Sequence, residues 1–180
     1  MRTEIKNSFK GLEINTERLL IRHIENKDRN DFFEIFSNEE TAINDGIRPY
    51  VEMDKRYEAD FKYISDQMHF AIELKEGNKM IGIMHLTEIL ERAVECYEIG
   101  YDIHYAFRRK GYATEAINAI IEYCFNFLGI EMLVALVNEW NEESISLLNK
   151  LGFLQEGKIH KAQKHYKFGV VDQLSFYKER

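Results

Sequence analysis

The 180-residue chain has one proline, one tryptophan and two cysteines. Cys96 and Cys124 lie far apart, with no Cys-x-x-Cys or Cys/His ligand spacing. They read as small buried apolar groups, and no metal site is expected. Pro49 and ten scattered glycines form no linker or low-complexity stretch, and no internal repeat is visible. A single domain over residues 1–180 is therefore expected. No apolar run approaches the roughly 18 residues that a membrane span needs. Met1 to Lys10 is polar and has no signal-peptide apolar core, so a cytoplasmic location is expected. Positive charge is in deficit: 24 Lys and Arg stand against 31 Asp and Glu, a net −7. That argues against a nucleic-acid partner and suits cationic substrates such as amines.

What is present is enough for a core: 45% of residues are hydrophobic and 13% aromatic, and 31% are charged. Residues 1–14 carry little pattern beyond a frayed or added strand. Thr16 to Arg22 reads as the first strand. Asp28 is placed to cap a helix through Phe32, Phe33, Ile35 and Phe36 that Ser37-Asn38 ends. Asn44 to Pro49 reads as loop. Tyr57, Phe61, Ile64 and Met68 repeat at helical spacing after Asp54. His69–Leu74 and Lys79–Thr87 read as a hairpin about Lys75 to Asn78. Further on come a strand from Met132 to Val137, a helix from Asn141 to Leu151 stopped by Gly152, and strands Phe153–Ile159 and Phe168–Tyr177. The cationic segment His160 to Lys167 joins the last two and reads as a solvated hairpin, with contact to an acidic substrate or a nucleotide 3′-phosphate as the alternative.

The centre of the chain is the run Arg108-Arg109-Lys110-Gly111-Tyr112-Ala113-Thr114-Glu115-Ala116. The alternating residues Tyr97 to Ile103 lead into it as a strand, and an amphipathic helix to Leu128 leaves it, ended by Gly129. A strand feeding a glycine turn onto a helix N-terminus leaves backbone N–H groups without partners at the positive end of the helix dipole. That is a site for a diphosphate.

Arg108, Gly111 and Ala113 fit the pattern Arg/Gln-x-x-Gly-x-Gly/Ala, which resembles the acyl-CoA pyrophosphate loop of the GNAT N-acetyltransferases. The resemblance continues from about Thr16 to Tyr177. It is carried by Thr16 to Arg22, by Glu98 to Tyr101 and on through Ala116, by Asn141 to Ser144 with Leu148 to Phe153, and by Glu156-Gly157 and Asp172. These segments are most similar to the RimJ/RimL-type branch. The order βααβββαβαββ implies an α/β (α+β) GNAT fold with a mixed, mostly antiparallel sheet of about seven strands covered by helices.

The resemblance implies acetyl transfer from acetyl-CoA, a co-substrate, to a primary amine by direct attack. A peptide N-terminal α-amino group is the foremost acceptor, and a polyamine or aminoglycoside is the alternative. It also admits a homodimer. A non-enzymatic acyl-CoA-binding module of the same fold is the rival from another class. CoA contacts are implied at Ile103, Tyr105, Arg108, Arg109, Lys110, Gly111, Tyr112, Ala113 and Thr114. Asn141, which also caps its helix, would meet the pantetheine arm.

Two positions depart from the branch. Tyr105 stands where it has a proline, and Arg109 where it often has a glycine, a replacement tolerated only without positive φ there. Many other GNAT enzymes carry a thiolate-protonating tyrosine where Leu148 stands, so that role sits elsewhere here or is vacant. The resemblance implies a place near the thioester sulfur for Ser144, the candidate partner of the leaving thiolate, with an exposed first-turn serine as the alternative. Glu98 projects opposite Tyr97, Ile99 and Tyr101 and is the candidate base, ahead of His85 and His104. Trp140 reads as core or rim.

Overall fold

The computed structural model describes residue 9 and residues 11–65 and 68–180. Strands β1 (Glu13–Asn15) and β2 (Leu19–His23) precede helices α1 (Arg29–Ser37), α2 (Glu39–Asp45) and α3 (Lys55–Ser65). Strands β3 (His69–Leu74), β4 (Lys79–Ile89) and β5 (Cys96–Ile103) follow, then α4 (Tyr112–Glu122), β6 (Met132–Asn138) and α5 (Glu142–Lys150). The hairpin of β7 (Leu154–His165) and β8 (Gly169–Glu179) completes a sheet of order β1-β2-β3-β4-β5-β6-β8-β7.

All neighbours in the sheet are antiparallel except β5 and β6. That parallel pair is short: Cys96↔Met132, Tyr97↔Leu133 and Glu98↔Val134. Beyond it β5 runs on to Ile103 and β6 to Asn138 without pairing to each other, so the sheet parts between them.

The two sheet faces carry separate cores. Phe32, Ile35 and Phe36 of α1 and Tyr57 and Phe61 of α3 pack with Ala71, Met80 and Ile83. Ala116, Ile117, Ile120 and Ile121 of α4 and Leu148 of α5 pack with Leu19, Ile21, Phe70, Ile72, Ile81, Tyr97 and Ile99. Met80 and Ile83 share one face, and Ile81 and Met84 the other, because the β3–β4 register slips between Ile72↔Gly82 and Glu73↔Met80. One extra residue in β4 inverts its inward and outward sides, as a bulge does.

Several expectations are corrected. An additional helix, α2, occupies Asn44 and Asp45, which read as loop. Asn38 ends α1 and caps α2, its side chain accepting from Thr41 N–H at 3.0 Å, and Gly46 closes α2 at φ 82°. Asp28 is not a side-chain cap. It is buried, and both carboxylate oxygens take Arg22 at 2.7 Å. Asp54 does cap α3, accepting from Arg56 and Tyr57 N–H. Met68 lies beyond that helix, and Asp66 and Gln67 fall outside the described residues, as do residues 1–8 and 10. The sheet has eight strands, the eighth being β1. The α4 helix stops at Glu122 and passes through a π-helical turn, Tyr123–Phe127, before Gly129 at φ 70°. The segment His160 to His165 is strand rather than connection, and His165 is buried with Nε2 on Ile43 O at 2.9 Å.

Arg22, Asp28 and Glu73 form a buried ion cluster in which Arg22 also reaches Glu73 at 2.5 Å. Burial alone would lower the Arg22 pKa, but hydrogen bonds to both carboxylates raise it above its usual value. Removing one member strands the others in low dielectric. Arg22→Ala is therefore expected to cost about 3–5 kcal/mol in urea unfolding. A loss within about 0.5 kcal/mol would show that the cluster contributes nothing to stability.

Candidate active site

The loop from β5 to α4 is built on two left-handed residues, Arg109 at φ 60° and Gly111 at φ 82°. The positive φ at Arg109 overturns the condition on which arginine was acceptable there. This side chain sits in a conformation that costs a non-glycine residue about 1–3 kcal/mol. Gly111 ends the turn without a side-chain cap, and the first helical bond of α4 runs from Glu115 N–H to Gly111 O at 3.0 Å. The N–H groups of Tyr112, Ala113 and Thr114 are thus left without intrahelical acceptors, at the positive end of the helix dipole. Thr114 lies in the first turn rather than at its start.

A second group, missed in the sequence, braces the loop from below. Glu115 accepts from Thr16 Oγ1 at 2.6 Å, Arg18 N–H at 2.8 Å and Arg18 Nε at 2.7 Å. Arg18 also donates to Lys110 O at 3.0 Å and lies 4.4 Å from the Tyr112 ring centre. Burial would raise the Glu115 carboxyl, but Thr16 and Arg18 hold it below its usual range. The first-strand motif and the loop motif therefore form one structural unit.

A cavity of about 550 Å³ lies over this loop, between α4 and α5. Of the residues singled out for CoA contact, Ile103, Arg108, Arg109, Gly111, Tyr112, Ala113, Thr114 and Asn141 line it. Tyr105 and Lys110 do not. Tyr105 is exposed and stacks on His104 at 4.5 Å, and the Lys110 ammonium sits 5.2 Å from the Phe107 ring centre. Arg108 is on the wall, but its guanidinium is committed elsewhere. It donates to Ile103 O at 3.1 Å and Thr41 Oγ1 at 2.7 Å and pairs with Glu40 at 3.0 Å, tying the loop to α2.

Asn141 caps α5 as expected, its Oδ1 accepting from Ser144 N–H at 3.1 Å. Ser144 does not itself line the cavity, but its Oγ lies 2.8 Å from Tyr101 Oη, and Tyr101 does. In the sequence Tyr101 is noted only as lying opposite Glu98 on the strand. It is partly buried, at the core's edge. Burial pushes its hydroxyl pKa up to about 12, with Asp102 adding and the Ser144 hydrogen bond opposing, so it holds its proton at neutral pH. Leu148 is fully buried and reaches neither cavity.

A second cavity of about 210 Å³ shares Asn44, Tyr101, Asp102 and Asn141 with the first, and it lies where β5 and β6 have parted. Glu98 and His85 line it, with Glu98 Oε1 4.0 Å from His85 Nε2. His85 lies across β5 because Gly100 opposes it. A Cβ at Gly100 would stand 2.1 Å from His85 Cε1. His104 belongs to neither cavity. It is buried, accepts from Ala106 N–H at 3.2 Å, and burial lowers its pKa although Glu34 opposes.

Asp45 and Asp102, not singled out in the sequence, also line the smaller cavity. Burial raises both carboxyls, Asp102 further through the nearby Asp45 charge. His85 opposes this at Asp45, and Arg108 at Asp102. Trp140 is rim, packed edge-on against His165 and Phe168. Among the described residues no cluster of His, Cys, Asp and Glu could hold a metal ion.

The site thus has a helix N-terminus with free N–H groups, a proton-bearing hydroxyl at a junction and an acidic second chamber. A family model described as an acetyltransferase (GNAT) domain matches residues 18–154, and the chain belongs to that family. An uncharacterized N-acetyltransferase of Bacillus subtilis, YoaA, is 29% identical over 170 residues, 91% of this chain and 94% of that protein. A GNAT-family acetyltransferase from Bacillus anthracis superposes with a TM-score of 0.82 at 24% identity, covering 93% of this chain and 98% of that one. Two further structures share the fold. One is a ribosomal-protein-S5-alanine acetyltransferase from Vibrio fischeri, with TM-score 0.71, 19% identity, and coverage of 93% and 96%. The other is a spermidine N-acetyltransferase from Vibrio cholerae in complex with CoA and spermine, with TM-score 0.73, 23% identity, and coverage of 91% and 96%. No helix among the described residues is long and apolar enough to cross a membrane.

Gly111→Val puts a β-branched side chain at φ 82°, with its Cβ 3.3 Å from Arg18 Nη2. It is expected to disturb the loop and weaken CoA binding by about tenfold or more in calorimetry on the folded variant. Unchanged affinity would remove this loop from CoA binding.

Proposed function

We propose that the chain is a cytoplasmic enzyme of the RimJ/RimL-type branch that transfers the acetyl group of acetyl-CoA to a primary amine by direct attack. The observation that carries this reading is Tyr101. Among the described residues, it alone combines a proton-bearing tyrosine hydroxyl with a place on the walls of both cavities. Acetyl-CoA supplies an activated thioester, and the rest is done by the chain's own groups.

The unpaired N–H groups of Tyr112, Ala113 and Thr114, with the Arg109 side chain, bind the diphosphate. Asn141 and the unpaired edge of β5 orient the pantetheine arm. Tyr101 Oη donates a hydrogen bond, then its proton, to the departing sulfur. Ser144 is a positioning residue whose Oγ aims that hydroxyl. Glu98, with His85 beside it, takes the proton from the attacking amine. Holding both reactants in one split supplies much of the remaining acceleration through proximity.

A peptide N-terminal α-amine is the acceptor implied by the sequence resemblance. The acidic lining of the smaller cavity supports a small cationic amine instead. Thiol release from acetyl-CoA against a mixed panel of peptides and amines tests the reading. Binding of CoA without release on any acceptor would favour the acyl-CoA-binding module.

Tyr101→Phe is expected to lower kcat about 10–100-fold with acetyl-CoA affinity nearly unchanged, because the hydroxyl matters mainly as charge develops on sulfur. Ser144→Ala should fall between wild type and Tyr101→Phe in steady-state kinetics. Full activity in Tyr101→Phe would mean that the thiolate leaves without this donor.

A further inference from the structure

We propose that the acceptor is a short aliphatic amine bearing a second positive charge, and that Asp45, Asp102 and Asn138 hold this second ammonium group while the first is acetylated. The inference rests on the acetyl-transfer reading and names the substrate class of the same site.

Asp45 is the last residue of α2, and Asp102 is the last but one of β5. The fold brings both to one cavity of about 210 Å³, and among the described residues neither carboxyl has a hydrogen-bond or ion-pair partner. Two poorly solvated carboxyls near one another repel and resist ionising, which destabilises an empty site. Structural carboxylates elsewhere in this chain, Asp28, Glu73 and Glu115, are paired with arginine at 2.5–2.8 Å.

Asn138 is an independent observation. It is only 2% exposed and lines the same cavity. Its Nδ2 donates to Asn44 O at 2.9 Å and Gln163 Oε1 at 3.2 Å, which fixes the amide orientation and leaves Oδ1 buried without a partner. Two carboxyls and an orphaned carbonyl oxygen make a wall of acceptors. An ammonium group, with three donors, no acceptor and a positive charge, is its complement.

The walls are built to stay. Gln163 donates to Asp45 O at 2.8 Å, and Tyr166 N–H bonds Gly46 O at 3.0 Å, so the β7–β8 hairpin clamps the end of α2. A Cβ at Gly46 would lie 2.7 Å from the Gln163 amide. The chamber is smaller than the roughly 300–1,000 Å³ of pockets that enclose drug-sized ligands, which favours a short chain over a multi-ring amine. Glu98 lies on the same face of β5 as Asp102, four residues back, so one amine can meet Glu98 while the other meets the aspartates.

The test measures thiol release from acetyl-CoA by the full chain with n-butylamine, 1,4-diaminobutane and a free-N-terminus peptide without basic side chains, at one ionic strength. The wild type is expected to prefer the diamine over butylamine by about 10–100-fold in kcat/KM. Asp45→Asn and Asp102→Asn should each bring that ratio to within about threefold of one, whatever their effect on the absolute rates. Equal use of butylamine and diamine by the wild type, turnover of the peptide alone, or a preference surviving in both variants would overturn the inference while leaving acetyl transfer standing. No release on any acceptor would overturn the acetyl-transfer reading and this inference with it. The wild-type comparison needs no variant to fold.

Discussion

Parallel pairing between β5 and β6 ends at Glu98↔Val134 while both strands continue, and the site follows from that early stop. A parallel pair requires a crossover, here α4 and its flanking turns, so the N-terminus of α4 must lie near the end of β5. Backbone groups on the facing edges beyond Glu98 lack ladder partners, and unpaired backbone must bond something. The split therefore leaves a helix N-terminus with free N–H groups, a strip of unpaired backbone, and two cavities that share wall residues. Tyr101 stands between them because strand alternation turns it toward α5 while its neighbours Gly100 and Asp102 face the other chamber.

Charge is distributed against the naive expectation for an anion-binding loop. Of three consecutive cations, Arg108 is committed to Glu40, Thr41 and Ile103, and Lys110 lies by Phe107. In the proposed reading, backbone N–H groups and the helix dipole do most of the phosphate binding, with Arg109 beside them. Arg108 instead links the loop to α2, and its charge opposes the upward shift of Asp102. One side chain thus couples the loop to the acidic chamber. The strained backbone at Arg109 and the unpartnered aspartates both cost stability, as functional sites commonly do. The buried Arg22 cluster and the two apolar cores hold the frame.

Much of this was legible in the sequence because it depends on local pattern. Alternation marked β3, β4 and β5, spacing marked α1, α3 and α4, and the run from Arg108 to Ala116 announced a strand–turn–helix. What escaped depends on contacts between distant segments. Asn44-Asp45-Gly46 has the composition of a turn, and its helix is explained by the Asn38 cap and the Gly46 exit. Asp102 looked like any polar residue on an alternating strand until α2 brought Asp45 to it. Asp28 had the spacing of a cap, but Arg22 outcompeted the helix for its carboxylate. Ser144 was singled out as a candidate hydroxyl for the leaving thiolate, and the structure places it behind Tyr101 rather than on the cavity wall. Its dependence on Tyr101 was not legible, since that pairing requires knowing which face of β5 meets α5.

The most direct test of the account is a crystal structure of the chain with CoA and 1,4-diaminobutane. The account predicts the diphosphate on the N–H groups of Tyr112 to Thr114, the sulfur within hydrogen-bond reach of Tyr101 Oη, and the diamine between Glu98 and the Asp45–Asp102 pair. CoA bound away from the β5–β6 split, or a sulfur with no contact to Tyr101, would contradict it.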